Sequence, residues 1–513
     1  MTTSSQSNGP DSERLHPWAA TLIVFLSNFC ILVLELVAGR LMAPIVGVSL
    51  YTWTSIIGVI LAGISLGNYL GGKIADRWAS RLTLAGLFAL SAGGSATILW
   101  VIDQINPLRE LSLPVIIGVL LIFTAIFLLP STLLGTISPV VVKLTLTDLN
   151  RTGDVVGKIY AAGAVGSIAG TFATGFFLIS AFGARSIVWG AAGGLLLLGA
   201  VIGLGARRRL RYAVAALFGL FLLLSGLAWD QGWLASRCLR ETDYYCIKVR
   251  ADDEESSVRV LILDRLVHSY VDLEDPTYLR YGYEQVYGDV LKALYPDRPA
   301  LSALFIGGGG YTFPRYIEAL YPGSRVEVIE IDPGVTEVAR AELGLPPETT
   351  ITTFNDDARR FIDNLPPAQR YDLIVGDAFN DFSVPYHLTT LEFDRQVAAH
   401  LTPNGFYMVN IIDGRQGDFF RAYVHTLQQV FAQIYVAPVL STLGQSERQT
   451  YVIIASSREL PIHQGDQAAL LDEWFISEAE LTTYLHQGPR LTLTDDYVPV
   501  DNLLAPVFAD SGL

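Results

Sequence analysis

Seven apolar runs of bilayer-spanning length fill the first 229 residues, centred in 18–38, 52–72, 82–102, 114–134, 159–180, 187–206 and 211–229. About 20 mostly apolar residues carry a helix across a bilayer, so each run predicts a membrane span. Six spans after the first argue against a cleavable signal. The stretch 135–146, with Pro139 between Ser138 and Val140, is open to a re-entrant reading that would change the count. Gly58, Gly63, Gly67 and Gly71, then Gly163, Gly166 and Gly170, recur at roughly one-turn spacing. Small residues so placed let helices approach closely, and packing is the expected use.

Beyond Trp229 the pattern changes. Residues 245–272 fall into short alternating runs, Cys246-Ile-Lys-Val-Arg250, Val258–Asp264 and Leu266–Val271, which predict a small antiparallel sheet. From about 300, strand and helix alternate. Strands are predicted at Ala303–Ile306, Val326–Ile329, 350–354, Tyr371–Val375 and Phe406–Ile411, with helices after Gly310, at 334–342, 358–364 and 389–401. A hairpin near 433–438 and 450–455 closes the sheet. This is a parallel, doubly wound α/β pattern whose ligand should lie at the strand carboxyl ends. The expected organisation is a disordered tail (1–17), an all-α polytopic membrane bundle of about seven helices (18–229), a small antiparallel β domain with linker (230–295), and a Rossmann-like, methyltransferase-type α/β domain (296–513).

Composition sharpens the division. The whole chain is 51% hydrophobic and 17% charged, against about 25% charged in soluble proteins. Residues 1–229 carry 14 Lys and Arg against 8 Asp and Glu; the remainder carries 21 against 42. The acidic half would repel a phosphate backbone, so no nucleic-acid partner is expected. Eleven loop cations, from Arg14 to Arg211, fall on one side of the seven spans and three, Arg40, Arg109 and Arg185, on the other. That bias places the N-terminus in the cytoplasm and, with an odd span count, the acidic half outside. Glu35 is the intramembrane ionisable residue of interest, for function or for pairing with Arg40. Cys30 reads as a packing residue, and Cys238 with Cys246 as either a disulfide or two thiols. No metal motif is present in the sequence.

The chemistry-bearing residues fall at successive strand ends. Gly307, Gly308, Gly309 and Gly310 follow the first strand, where bare backbone admits a ligand. Glu330 ends the second strand, suited to ribose hydroxyls. Asp356-Asp357-Ala358 follows the third and Asp377 ends the fourth. Each such position alone reads as a helix cap or solvated turn; four in order at successive strand ends, the glycine turn included, read as a site for an adenosine-like group.

Through these residues the chain resembles the spermidine synthase (aminopropyltransferase) family, in the form fused to an N-terminal membrane domain. The matching segments are Leu263-Asp264-Arg-Leu-Val-His268, Tyr283-Glu284, Ile306–Gly310, Glu330-Ile-Asp332, Asp356-Asp357-Ala358, Asp377-Ala-Phe-Asn-Asp381 and Thr494–Val500. The resemblance implies transfer of an aminopropyl group from decarboxylated S-adenosylmethionine to a polyamine, releasing methylthioadenosine, with no metal. By motif, Asp377 is the base and Tyr283 lines the acceptor channel. Gly307, Gly308, Gly309, Glu330, Asp332, Asp357, Ala358 and His268 face the donor, and Asp381, Asn380, Asp264 and Glu284 the acceptor. Expected partners are a polyamine and the lipid bilayer, and a homodimer is compatible. One departure stands out. Soluble members carry an aspartate for the donor's ammonium where this chain has Gly310; Asp264, Asp332 or Asp496 could replace it in space. The loss also opens methyl transfer from S-adenosylmethionine, or a non-catalytic transporter or sensor, as alternatives.

Overall fold

The structure, a computed structural model, describes residues 14–104, 115–146, 151–203, 208–297, 299–378, 384–439, 443–444, 446, 448, 449–462, 471–488 and 490–510. The chain divides into two compact units, with the main boundary along the sequence between Arg237 and Cys238.

The first unit is helical. Its elements are α1 (Pro17–Val46), α2 (Leu50–Trp78), α3 (Arg81–Asp103), α4 (Val115–Gly135), α5 (Ile137–Thr145), α6 (Thr152–Ala173), α7 (Ile179–Phe182), α8 (Ala184–Gly203) and α9 (Arg208–Asp230). Six helices among the described residues have the length and apolar composition of a membrane span. The seventh predicted span does form a helix, α9, but its described apolar part is the shorter Ala216–Asp230. The stretch 135–146 forms no separate hairpin. Thr136 keeps helical angles (φ −70°, ψ −18°), so α5 continues α4 as one span from Ile116 to Thr145. Of the tail, residues 1–13 lie outside the described residues; Leu15 is buried and its N–H donates to the Leu144 carbonyl.

The glycine repeats are packing devices. A Cβ on Gly67 would sit 2.2 Å from the Thr132 carbonyl oxygen, and one on Gly166 2.2 Å from that of Phe25. Gly63, Gly71 and Gly170 are similarly closed, whereas Gly58 has nothing within 4 Å. Inserting side-chain atoms into a tight contact costs about 1–3 kcal/mol or more. Gly67→Val should therefore lower the melting temperature of the detergent-solubilised protein markedly, while Gly58→Ala leaves it unchanged. Equal melting of the two variants would remove the packing role. Near the end of α3, Asp103 accepts two hydrogen bonds from the buried Arg185 at 3.1 Å and one from Arg237 at 2.7 Å. Each guanidinium thus meets its counter-charge, which a buried arginine requires.

The second unit opens with an antiparallel sheet, β1 (Arg240–Glu241), β2 (Cys246–Ala251), β3 (Val258–Leu263) and β4 (Leu266–Asp272), in sequence order. A disulfide joins Cys238 to Cys246. Helix α10 (Gly282–Leu294) leads to a seven-stranded sheet of β5 (Ser302–Ile306), β6 (Arg325–Ile329), β7 (Thr352–Phe354), β8 (Tyr371–Gly376), β9 (Leu401–Asp413), β10 (Gln433–Val439) and β11 (Gln449–Ser456). Its order is β10-β11-β9-β8-β5-β6-β7, parallel from β7 to β9, with β11 and β10 antiparallel at the edge. The chain runs from β5 outward to β7, then returns to place β8 on the other side of β5. That reversal makes β5/β8 the switch point where such sheets open a crevice. The central strands β5, β8, β9 and β11 are buried on both faces along most of their length, as their near-continuous apolar runs demand. Helices α11 (Thr312–Leu320), α12 (Pro333–Glu342), α13 (Ala358–Asp363) and α14 (Leu391–Ala399) connect them.

Candidate active site

Each site-bearing segment leaves its strand while still held in the ladder. The N–H of Gly307 donates to the Ile329 carbonyl (2.8 Å), that of Glu330 to Phe354 (2.9 Å), and that of Asp377 to Ile306 (2.9 Å). The first residues past β5, β6 and β8 are therefore fixed by the sheet, not by loops. Gly307 has φ +100°, and a Cβ there would lie 2.5 Å from the Asp377 carbonyl oxygen. Only glycine takes that conformation without strain, so the first glycine lets the two strand ends meet.

A cavity of about 280 Å³ opens at this point. Asp377, Tyr283, Glu284, His268, Gly307, Gly308 and Gly309 all line it. It brings together residues that the sequence assigned to donor, acceptor and catalysis. Asn410 of β9 donates to Asp377 Oδ1 at 2.9 Å, and Tyr283 hydrogen-bonds the same carboxyl. Burial pushes the Asp377 carboxyl above the usual range, against the opposing pull of Asn410, Tyr283 and the nearby His268. Burial, with Asp377 and Glu284 close by, likewise holds the Tyr283 phenol high, so that it stays a neutral donor. Glu284 is 3% exposed. Burial first, and Asp377 second, raises its carboxyl well above the ordinary value. A carboxylate so raised is a stronger proton acceptor than one in water.

The nucleoside-side residues lie along the same sheet edge, outside the cavity lining. Glu330 is buried, its Oε2 accepting from the N–H of Gly308 (2.8 Å) and Gly309 (3.4 Å) and its Oε1 from that of Asp332 (2.9 Å). It therefore braces the glycine loop. Asp357 caps α13 through the Arg360 N–H (3.0 Å) and meets His387 Nε2 at 3.0 Å; Ala358 opens that helix, buried. Asp495, in the Thr494–Val500 segment, grips Arg359 at 2.7 and 2.6 Å and so ties that segment to α13.

Two more of the acids named from the sequence lie off the cavity lining, as Glu330 and Asp357 do. Asp332 does not reach the cavity: it caps α12 through the Gly334 N–H (2.8 Å) and accepts from the Thr242 hydroxyl (2.5 Å). Asp264 does not either. It sits in the β3–β4 turn at φ +54°, with its carboxylate on the Cys246 N–H (2.9 Å). Both acids spend their lone pairs on the fold. Asn380 and Asp381 lie outside the described residues. Asn410, Tyr287, Thr312 and Arg448 also line the cavity and were missed. Asn410 left a readable signal, an amide within the otherwise apolar run Phe406–Ile411. The others left none.

No family model matches the chain. Among curated proteins, a "Probable polyamine aminopropyl transferase" of Bifidobacterium longum is 32% identical over 223 residues, 40% of this chain and 49% of its own length. "Polyamine aminopropyltransferase 2" of Ralstonia nicotianae is 24% identical over 424 residues, 76% of this chain and 77% of its own length. That match is longer than the globular unit, so it runs into the apolar helices of the first unit. The "eEF1A lysine and N-terminal methyltransferase" of Xenopus laevis is 30% identical over 188 residues, 33% of this chain and 27% of its own length. The chain thus spans about half the length of the first of these relatives. The two aminopropyltransferases bear out the family resemblance carried by the motifs.

Proposed function

We propose that this protein is a membrane-bound polyamine aminopropyltransferase. It would move the aminopropyl group of decarboxylated S-adenosylmethionine to putrescine or a related polyamine, with Asp377 as general base. The observation that carries this reading is the buried Asp377 carboxyl, oriented by Asn410 and Tyr283 and facing a cavity beside the glycine loop.

The acceptor arrives as an ammonium, which has no lone pair. Asp377 takes one proton from it. The freed nitrogen pair attacks the propyl carbon next to sulfur, the new C–N bond forms, and the C–S bond breaks with its electrons on sulfur. The sulfonium leaves as a neutral thioether, methylthioadenosine, and the product nitrogen keeps the positive charge. Holding nitrogen, carbon and sulfur in line supplies much of the remaining rate. Glu330, Asp357 and Ala358, at the ends of β6 and β7, would receive the nucleoside. Methyl transfer is the second reading, favoured by the Xenopus relative and by glycine at position 310.

Product analysis separates the readings. The full chain in detergent, given each donor with di- and triamines, should yield methylthioadenosine and a longer polyamine in equal amounts. Adenosylhomocysteine in their place would replace this reading with methyl transfer, and binding without turnover would replace it with a sensor or transporter.

The side of the membrane belongs to the same proposal. The cation bias, a seventh helix at α9 and the Cys238–Cys246 disulfide support an extracytoplasmic catalytic unit. A reporter active only after export, fused after Leu513, should be active. Its silence, with a cytoplasm-dependent reporter active, would reverse the orientation and leave the reaction untouched.

A further inference from the structure

The acid that soluble relatives place after the third glycine cannot stand there in this chain. A Cβ on Gly310 would lie 2.6 Å from both Ser269 Cβ and Val271 Cγ2 of β4, and the Gly310 N–H donates to Ser269 Oγ at 2.9 Å. The β4 strand has closed the space. Of the acids that could replace it, Asp264 and Asp332 are committed to the fold as described, and Asp496 is exposed and off the cavity.

Glu284 is different. It projects from the first turn of α10 into the cavity wall, almost wholly buried, and its Oε2 has no hydrogen-bond partner. The Thr312 hydroxyl and the backbone at Tyr281 hydrogen-bond the carboxyl. Tyr287, one turn away, also buries a hydroxyl with no partner, and its ring meets that of Tyr283 edge-on at 5.5 Å. A buried acid oxygen with no partner is costly to keep. An alkylammonium entering the cavity would meet it with a charge-assisted hydrogen bond, beside aromatic rings that also favour a cation.

We infer that Glu284 is the residue that selects the donor, by binding the free ammonium at the end of its propyl chain. The inference rests on the aminopropyl-transfer reading and names its donor. The intact nucleotide carries a carboxylate beside that amine, and Glu284 and Asp377 would repel it. The decarboxylated donor presents only the cation. Specificity then comes from repulsion of the wrong donor as well as attraction of the right one.

The test uses the full-length protein in detergent. Wild type should bind the decarboxylated donor about 100-fold more tightly than S-adenosylmethionine, a difference of the size expected when a buried charge loses its partner. Glu284→Gln should raise the KM for the decarboxylated donor about 30-fold. Affinity for methylthioadenosine, which lacks the amine, should not move. Equal losses for donor and methylthioadenosine would mean that Glu284 only supports the fold, and would overturn the assignment. So would wild-type protein that binds both donors alike, a measurement that needs no variant. Wild type that prefers the decarboxylated donor yet turns over neither would overturn the transferase reading alone.

Discussion

Replacing Asp377 by Asn should lower kcat about 10³-fold, the middle of the range that a positioned general base contributes. Methylthioadenosine affinity should stay within about twofold, because the lost interaction concerns a proton moved in the reaction and not the nucleoside. Asn is nearly isosteric. Its carbonyl oxygen can still accept from Asn410 Nδ2, now at 2.9 Å from Asp377 Oδ1, and its amide can donate to the Tyr283 hydroxyl. The cavity therefore survives and only basicity is lost. A pH profile gives the same base a second signature. Burial raises the Asp377 carboxyl above its ordinary value, so the acidic limb of kcat should lie above the usual aspartate range. Activity rises with pH through that limb as the carboxylate forms, and the limb should vanish in Asp377→Asn. Steady-state release of methylthioadenosine measures both effects. Near-wild-type kcat with an unchanged limb would take Asp377 out of the base role.

That aspartate could be placed from sequence because its position depends on strand order alone. An apolar strand buried on both faces must end where the chain meets solvent, so the residue after Val375 and Gly376 had to stand at the sheet edge. The same logic located Gly307 and Glu330. What strand order does not say is how an acid spends its lone pairs. Asp332 and Asp264 occupy motif positions as regular as that of Asp377, yet Asp332 caps a helix and Asp264 holds a turn. Their partners, Gly334 and Cys246, are respectively near and far in sequence, and only the folded chain reveals the competition. The helical unit shows the same division. Glycine spacing announced close helix contacts, but Gly58 shares the repeat and faces open space. Periodicity names a face of a helix, whereas the neighbour that presses on that face is a matter of tertiary packing.

Gly310→Asp is the sharper case, because it writes into the chain the acid that the family resemblance implies at that position. By sequence alone it should restore donor recognition. By structure it should do harm. The new Cβ would press into Ser269 and Val271 at 2.6 Å, two buried residues of a strand held in register by its pairing with β3. Overpacking of this kind costs about 1–3 kcal/mol. The new carboxylate would also be desolvated near Glu284 and Asp377, and like charges in one site raise each other's cost of ionisation. The expected result is a clear fall in thermal stability of the globular unit, followed by near-ultraviolet dichroism of the full chain, and a loss in kcat/KM of about 10²-fold. Combining it with Glu284→Gln separates the two causes. If only charge crowding mattered, the double variant would recover, since one acid has been exchanged for another. The 2.6 Å contacts predict that it will not, because β4 still occupies the space the side chain needs. A Gly310→Asp protein that melts and turns over like wild type would mean that β4 yields. Glu284 would then lose its claim to be the acid that this fold has room for.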